Sequence, residues 1–126
     1  MITYALLLIA IYVLVRHTTW KAEPWPSHGV RPPAYQGHRG YWKGGAQENT
    51  LAAFRAAKER GLGMVELDVH LSKDLIPVVF HDGDLKRLGH QDARVEDLTA
   101  QELLERVHAP SLEELLRSSD VPAFFN

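Results

Sequence analysis

The 126-residue chain is long enough for one modest domain and has no room for a second. Its 45% apolar and 24% charged content is that of a globular protein, and a net charge of −2 offers no basic footprint for nucleic acid. The lack of cysteine excludes disulfides, thiol nucleophiles and Cys-ligated zinc, so any metal would be held by oxygen or imidazole.

The first element is an apolar run. Residues 2–15 are apolar apart from Thr3, Tyr4 and Tyr12. Extended through Thr18, Thr19 and Trp20, the stretch is about 28 Å long as a helix, which crosses a thin bilayer if Arg16 snorkels and Trp20 lies at the interface. A cleaved signal peptide would carry a basic residue before the run and small residues after it, and neither is present. The expectation is a single-pass transmembrane anchor over residues 1–20, with the membrane as a partner. Residues 21–33 contain Pro24, Pro26, Pro32 and Pro33 without a hydrophobic period, the composition of a stiff linker. The folded domain is expected over residues 34–126.

Asn49 or Thr50 is the expected N-cap of a helix bearing Leu51, Phe54 and Ala57 and ended by Gly61. Residues 64–71 alternate as one strand: Val65, Leu67, Val69 and Leu71 take one face and Met64, Glu66, Asp68 and His70 the other. Residues 76–80 form a second strand-like run. The connection is too short for a parallel crossover, so the two make an antiparallel hairpin. With a turn over residues 72–75, Leu71 would face Ile76 and Glu66 would face His81. A one-residue slip would move His81 to the opposite face. Thr99-x-x-Glu102 and Ser111-x-x-Glu114 are capping-box patterns that open short helices, and residues 122–126 read as the start of another strand.

Chemistry concentrates at Glu66-x-Asp68. Two carboxylates at i and i+2 of a strand share a face and repel one another, so they need a compensating cation or open water. On an exposed strand face they would need no explanation at all. If His81 lies opposite Glu66, an imidazole joins the two carboxylates, which gives oxygen ligands for a hard divalent cation together with an acid–base group. His38-Arg39-Gly40 pairs a proton-moving imidazole with a guanidinium suited to phosphate oxygens, although alone it also reads as a surface pair. His17, His28, His90 and His108 lack such company, whereas His70 shares the carboxylate face.

In order, His38-Arg39-Gly40, Glu48-Asn49-Thr50, Glu66-x-Asp68 and Pro77-Val78-Val79-Phe80-His81-Asp82 resemble the glycerophosphodiester phosphodiesterase family, and the stretches around Leu98-Thr99 and Pro110-Ser111-Leu112 fit the same pattern. The resemblance implies an α/β fold, a TIM-type (β/α) barrel of which these residues would be the first strands only. It implies hydrolysis of glycerophosphodiesters to glycerol 3-phosphate and an alcohol, in lipid metabolism. By position His38 and His81 would be the acid–base pair, Arg39 the phosphate clamp, and Glu66 and Asp68 ligands of Ca²⁺ or Mg²⁺, with Glu48 and Asn49 shaping the site.

Two departures from the family pattern stand out. Leu75 occupies the place of a turn glycine, and the family's third strand, Asn-x-Glu-x-Lys, with a third metal ligand, lies beyond Asn126. The expectation is therefore a truncated barrel, inactive by itself, with a complementing C-terminal fragment as a candidate partner. A non-catalytic membrane-anchored remnant, or a phosphate- or metal-binding module, would retain the same residues.

Overall fold

The computed structural model describes residues 2–21, 29, 31–89 and 91–126, and the chain divides into two units, Met1–Arg31 and Pro32–Asn126. Most of the expected proline-rich linker lies outside the described residues, as do His28 and His90.

The first unit contains helix α1, Ile2–Thr19, whose last turn carries Arg16 and His17 and in which Thr18 and Thr19 hydroxyls bond back to the carbonyls of Leu14 and Val15. No helix among the described residues is long and apolar enough to cross a membrane. The expected transmembrane anchor, and with it the single-pass membrane localisation, is thereby overturned, and the membrane as a partner gains no support. The physical reason is length: the apolar part, residues 2–15, measures about 21 Å as a helix, against a hydrocarbon core of about 30 Å. The polar last turn cannot supply the difference.

The second unit is built around three parallel strands, β1 (Gln36–His38), β2 (Met64–Glu66) and β5 (Phe124–Phe125), in the order β1-β2-β5. Between β1 and β2 runs helix α2, Leu51–Glu59, started by the Thr50 hydroxyl accepting from Ala53 N. Parallel neighbours need such a crossover. Val65 on the inner side of β2 packs with Phe54 and Ala57 of α2, Leu115 and Val121. Burial of a side chain such as Phe54 stabilises the fold by about 1.5–3 kcal/mol. The other side of the sheet carries His38 and Glu66 and is left open toward solvent. Parallel strands in chain order joined through a crossover helix make this an α/β unit, an arrangement with which a (β/α) barrel also begins.

Residues 64–71 do not form one strand. The chain leaves β2 after Glu66 and re-enters a separate two-stranded antiparallel sheet as β3 (Val69–Leu71), paired with β4 (Pro77–Val79). The alternation therefore restarts: Val65 is buried, yet Val69 and Leu71 are exposed. The register also differs from the expected one. Leu71 faces Pro77, and Ser72 N donates to Ile76 O, so the loop holds three residues, 73–75. Such loops end on a left-handed residue, and Leu75 has φ +62°. The Ser72 hydroxyl receives Ile76 N and donates to Asp74, which locks this register. His81 consequently has no ladder position opposite Glu66.

A second core, of Val78, Phe80, Leu85, Val95, Leu103 and Val107, joins the hairpin to α3 (Lys86–Gly89), a 3₁₀ turn at Val95–Asp97, and α4 (Ala100–Val107). Thr99 and Glu102 make the reciprocal capping box on α4, and Ser111 caps α5 (Leu112–Arg117) by accepting from Glu114 N.

Candidate active site

The parallel register sets His38 directly beside Glu66 at the C-terminal ends of β1 and β2. The chain then turns sharply. Arg39 takes φ +56° and its backbone N–H lies 3.0 Å from Glu66 O and 3.1 Å from Glu66 Oε2. Gly40 follows at φ +83°, where an added Cβ would stand 2.8 Å from the backbone of Ala53. Only glycine lets this turn press against the start of α2. The return strand of the loop is clipped on by Asn49, also left-handed at φ +56°, whose N–H donates to Arg39 O at 3.0 Å. A left-handed non-glycine residue costs about 1–2 kcal/mol. Two of them at one loop is local strain of the kind that collects at functional sites.

From this turn an ion-pair network extends across the unit. Nε2 of His38 is 3.8 Å from Glu66 Oε2. Arg39 Nη1 donates to Glu48 Oε1 at 3.0 Å, and its Nε lies 3.4 Å from Asp68 Oδ2. Asn49 Nδ2 donates to the same Asp68 oxygen at 3.0 Å. Glu48 also accepts from Arg87 Nη2, and Arg87 Nε donates to Asp82 Oδ2 at 2.7 Å. The remaining Asp82 oxygen meets His81 Nδ1 at 2.7 Å. His38 and His81 are thus the two ends of one continuous chain of polar contacts.

The electrostatics follow from the partners. Burial would raise the Glu48 carboxyl, but hydrogen bonds from Arg87 and Arg39 outweigh it and hold the group below its ordinary value. Burial likewise opposes ionisation of Asp82, and Arg87 and His81 overcome it. The Arg87 guanidinium is raised in turn by its bonds to Glu48 and Asp82. An ionised Asp82 at Nδ1 places the proton of neutral His81 on that nitrogen and leaves Nε2 free to exchange protons. In the network four carboxylates (Glu48, Glu66, Asp68, Asp82) face two guanidiniums, an excess of two negative charges. That excess, concentrated on Glu66 and Asp68, fits a hard divalent cation. Glu66 Oε2 and Asp68 Oδ2 are occupied by the Arg39 turn and by Asn49. Their second oxygens make no hydrogen bond among the described residues and are left as donors. No group of three or more His, Asp or Glu side chains among the described residues is arranged to hold a metal ion.

The sequence-derived residues His38, Arg39, Glu48, Asn49, Glu66 and Asp68 come together directly. His81 joins them through Asp82 and Arg87 rather than by facing Glu66. Arg87 carried no signal in the sequence, because α3 is only one turn long and its partner Glu48 is remote along the chain. His70 proves structural in a specific way, its Nε2 lying 2.9 Å from the backbone carbonyl of His81.

Comparison with known proteins identifies the family. The model of the glycerophosphoryl diester phosphodiesterase family matches residues 37–124. A glycerophosphocholine phosphodiesterase of Schizosaccharomyces pombe is 38% identical over 115 residues, 86% of this chain and 10% of that protein. Among solved structures, a glycerophosphodiester phosphodiesterase of Thermotoga maritima superposes with a TM-score of 0.63 at 44% identity, covering 75% of this chain and 42% of the other. A phosphodiesterase of Oleispira antarctica, solved with the product sn-glycerol-3-phosphate, gives a TM-score of 0.59 at 36% identity over 68% of this chain and 39% of its own. The chain therefore spans less than half the length of these relatives.

Proposed function

The chain belongs to the glycerophosphoryl diester phosphodiesterase family, whose members are phosphoric diester hydrolases, and on that premise we propose that it forms part of the site for metal-dependent hydrolysis of glycerophosphodiesters to glycerol 3-phosphate and an alcohol. The observation that carries this reading is the unbroken polar chain from His38 to His81 through Arg39, alongside two carboxylates whose outer oxygens are uncommitted.

One imidazole takes the proton from the substrate's attacking hydroxyl and the other delivers a proton to the departing alcohol oxygen, after which water opens the resulting cyclic phosphodiester to glycerol 3-phosphate. His81 suits either role, because Asp82 holds its Nδ1 and presents Nε2. His38, with its side chain 65% exposed and Nε2 near Glu66, stands where a substrate can reach it. Arg39 is the phosphate clamp, held in place by Glu48 and Asp68 on either side. Glu66 and Asp68 would hold Ca²⁺ or Mg²⁺, which when bound would neutralise charge on the phosphoryl oxygens. Asn49 steadies the inner oxygen of Asp68.

Calcium takes about six to eight oxygens, and two carboxylates leave most of that shell to other donors. Residues 1–126 by themselves are therefore expected to turn over slowly, and further barrel strands, in continuity or as a complementing segment, to raise the rate. The test is glycerol 3-phosphate release from glycerophosphocholine, with Ca²⁺, Mg²⁺ or chelator. It is run on residues 1–126 and on a chimera in which residues 34–126 replace the matching segment of the Thermotoga maritima enzyme. A metal-dependent chimera silenced by His38→Ala and by His81→Ala supports the reading. A chimera that folds and binds metal but shows no turnover would make this segment a non-catalytic binding module.

A further inference from the structure

We propose that Arg87 is a positioning residue for the acid–base pair, a clamp that fixes the His81 imidazole and ties its loop to the loop that carries Arg39. The inference rests on reading His81 as an acid–base group.

Its warrant is the way two carboxylates from separate parts of the chain share one guanidinium. Glu48 closes the loop between β1 and α2, and Asp82 follows β4. Arg87, on the single turn of α3, donates from Nη2 to Glu48 Oε1 and from Nε to Asp82 Oδ2 at 2.7 Å. The two Asp82 oxygens divide their partners, since Oδ2 takes Arg87 and Oδ1 takes His81 Nδ1 at 2.7 Å. A carboxylate pinned at one oxygen cannot rotate away from the imidazole at the other. The ring is thus held with Nδ1 inward and Nε2 outward, while His70 Nε2 secures the His81 carbonyl behind it. Glu48 is held at a single oxygen, since Oε1 receives both Arg87 and Arg39 Nη1. One side chain therefore sets the spacing between the phosphate clamp and a proton-transfer group.

A structural salt bridge is the rival explanation. Arg87 is 46% exposed but Glu48 only 9%, so the pair also contributes to stability, and a purely stabilising role would leave the His81 tautomer unchanged in a folded variant. Lysine would keep the charge but not the planar fork that reaches two carboxylates at once.

The test uses Arg87→Gln and Arg87→Lys in the full 126-residue chain, with nitrogen-15 spectra of the histidine rings at neutral pH and His81 assigned by its loss in His81→Ala. The wild-type ring is expected as a single tautomer protonated at Nδ1. In Arg87→Gln it should move toward a mixture of tautomers, whereas the His108 signals stay in place. In the Thermotoga chimera the same substitution should lower kcat by about 10- to 100-fold with little change in KM, and Arg87→Lys should restore only part of the loss. If Arg87→Gln does not fold, as judged by its amide spectrum, Arg87→Lys carries the same readouts. An unchanged His81 tautomer in a folded variant overturns the proposal. So does full rescue by lysine. Loss of the acid–base reading is seen separately, as turnover that survives His81→Ala, because the tautomer measurement does not depend on activity.

Discussion

His38 and Glu66 are register partners on adjacent parallel strands, and their side chains meet at the open end of the sheet, Nε2 to Oε2 at 3.8 Å. Parallel pairing makes this meeting possible, because it brings the C-terminal ends of β1 and β2 to one edge. Everything else in the site is arranged around that edge: Arg39 continues from His38, Asp68 follows Glu66, and the Arg39 side chain approaches Asp68 while its backbone binds Glu66.

The uncommitted oxygens of Glu66 and Asp68 lead to a metal-binding prediction. Glu66→Gln or Asp68→Asn should each weaken Ca²⁺ or Mg²⁺ affinity by at least about tenfold, read by calorimetric titration of the chimera. Equal affinity in both variants would place the cation elsewhere.

Acid should dismantle the Glu48–Arg87–Asp82 network. Glu48 is depressed below its ordinary value of 4.5, with hydrogen bonds from Arg87 and Arg39 overcoming burial. A depressed carboxyl contributes stability above its unfolded value and loses it as pH falls through the folded value. Urea unfolding between about pH 6 and pH 3 should show wild type more stable than Glu48→Gln near neutrality. The two curves should converge on acidification below 4.5, and curves that stay parallel would mean that Glu48 is not linked to folding.

Leu75 offers a stabilising substitution. It is 75% exposed and sits at φ +62°, where it contributes strain and no packing. Leu75→Gly removes a cost of about 1–2 kcal/mol and adds a smaller entropic one, for a net gain of up to about 1 kcal/mol. Thermal unfolding should shift upward by a few degrees. A fall in midpoint would show that Leu75 is held by contacts.

Gly40→Ala should act in the opposite sense. The new methyl would stand 2.8 Å from Ala53 backbone atoms on a residue at φ +83°, so the turn must open. A loss of about 1–3 kcal/mol is expected from the clash. Because Arg39 rides on that turn, substrate binding in the chimera should weaken more than metal binding. Equal stability and kinetics would mean the loop yields freely.

Helix starts, and the family, were legible in the residues alone. Thr99 and Ser111 were readable as caps, and Thr50 as one of two candidates with Asn49, because capping is a contact between residues three apart. Glu66, Asp68, His38 and Arg39 could be singled out from the sequence only as an ordered set resembling a family pattern, because each pair alone also reads as ordinary surface, and the fold brings them together. Leu75 was legible as a turn residue out of place, and it is strained. Three other matters depended on how distant segments meet in the folded chain. The break at residues 67–68 arises because β2 is claimed by β1 and β5 on either side, leaving β3 to pair with β4. The hairpin register was set by a three-residue loop and the Ser72 hydroxyl, which alternation alone cannot count. The route from His38 to His81 runs through Arg87 because long-range ion pairs depend on where separate loops meet in space, and no periodicity records that. The first helix makes the same point from the other side. Residues 2–15 are apolar enough to suggest a span, but the length of apolar helix that forms falls short of one.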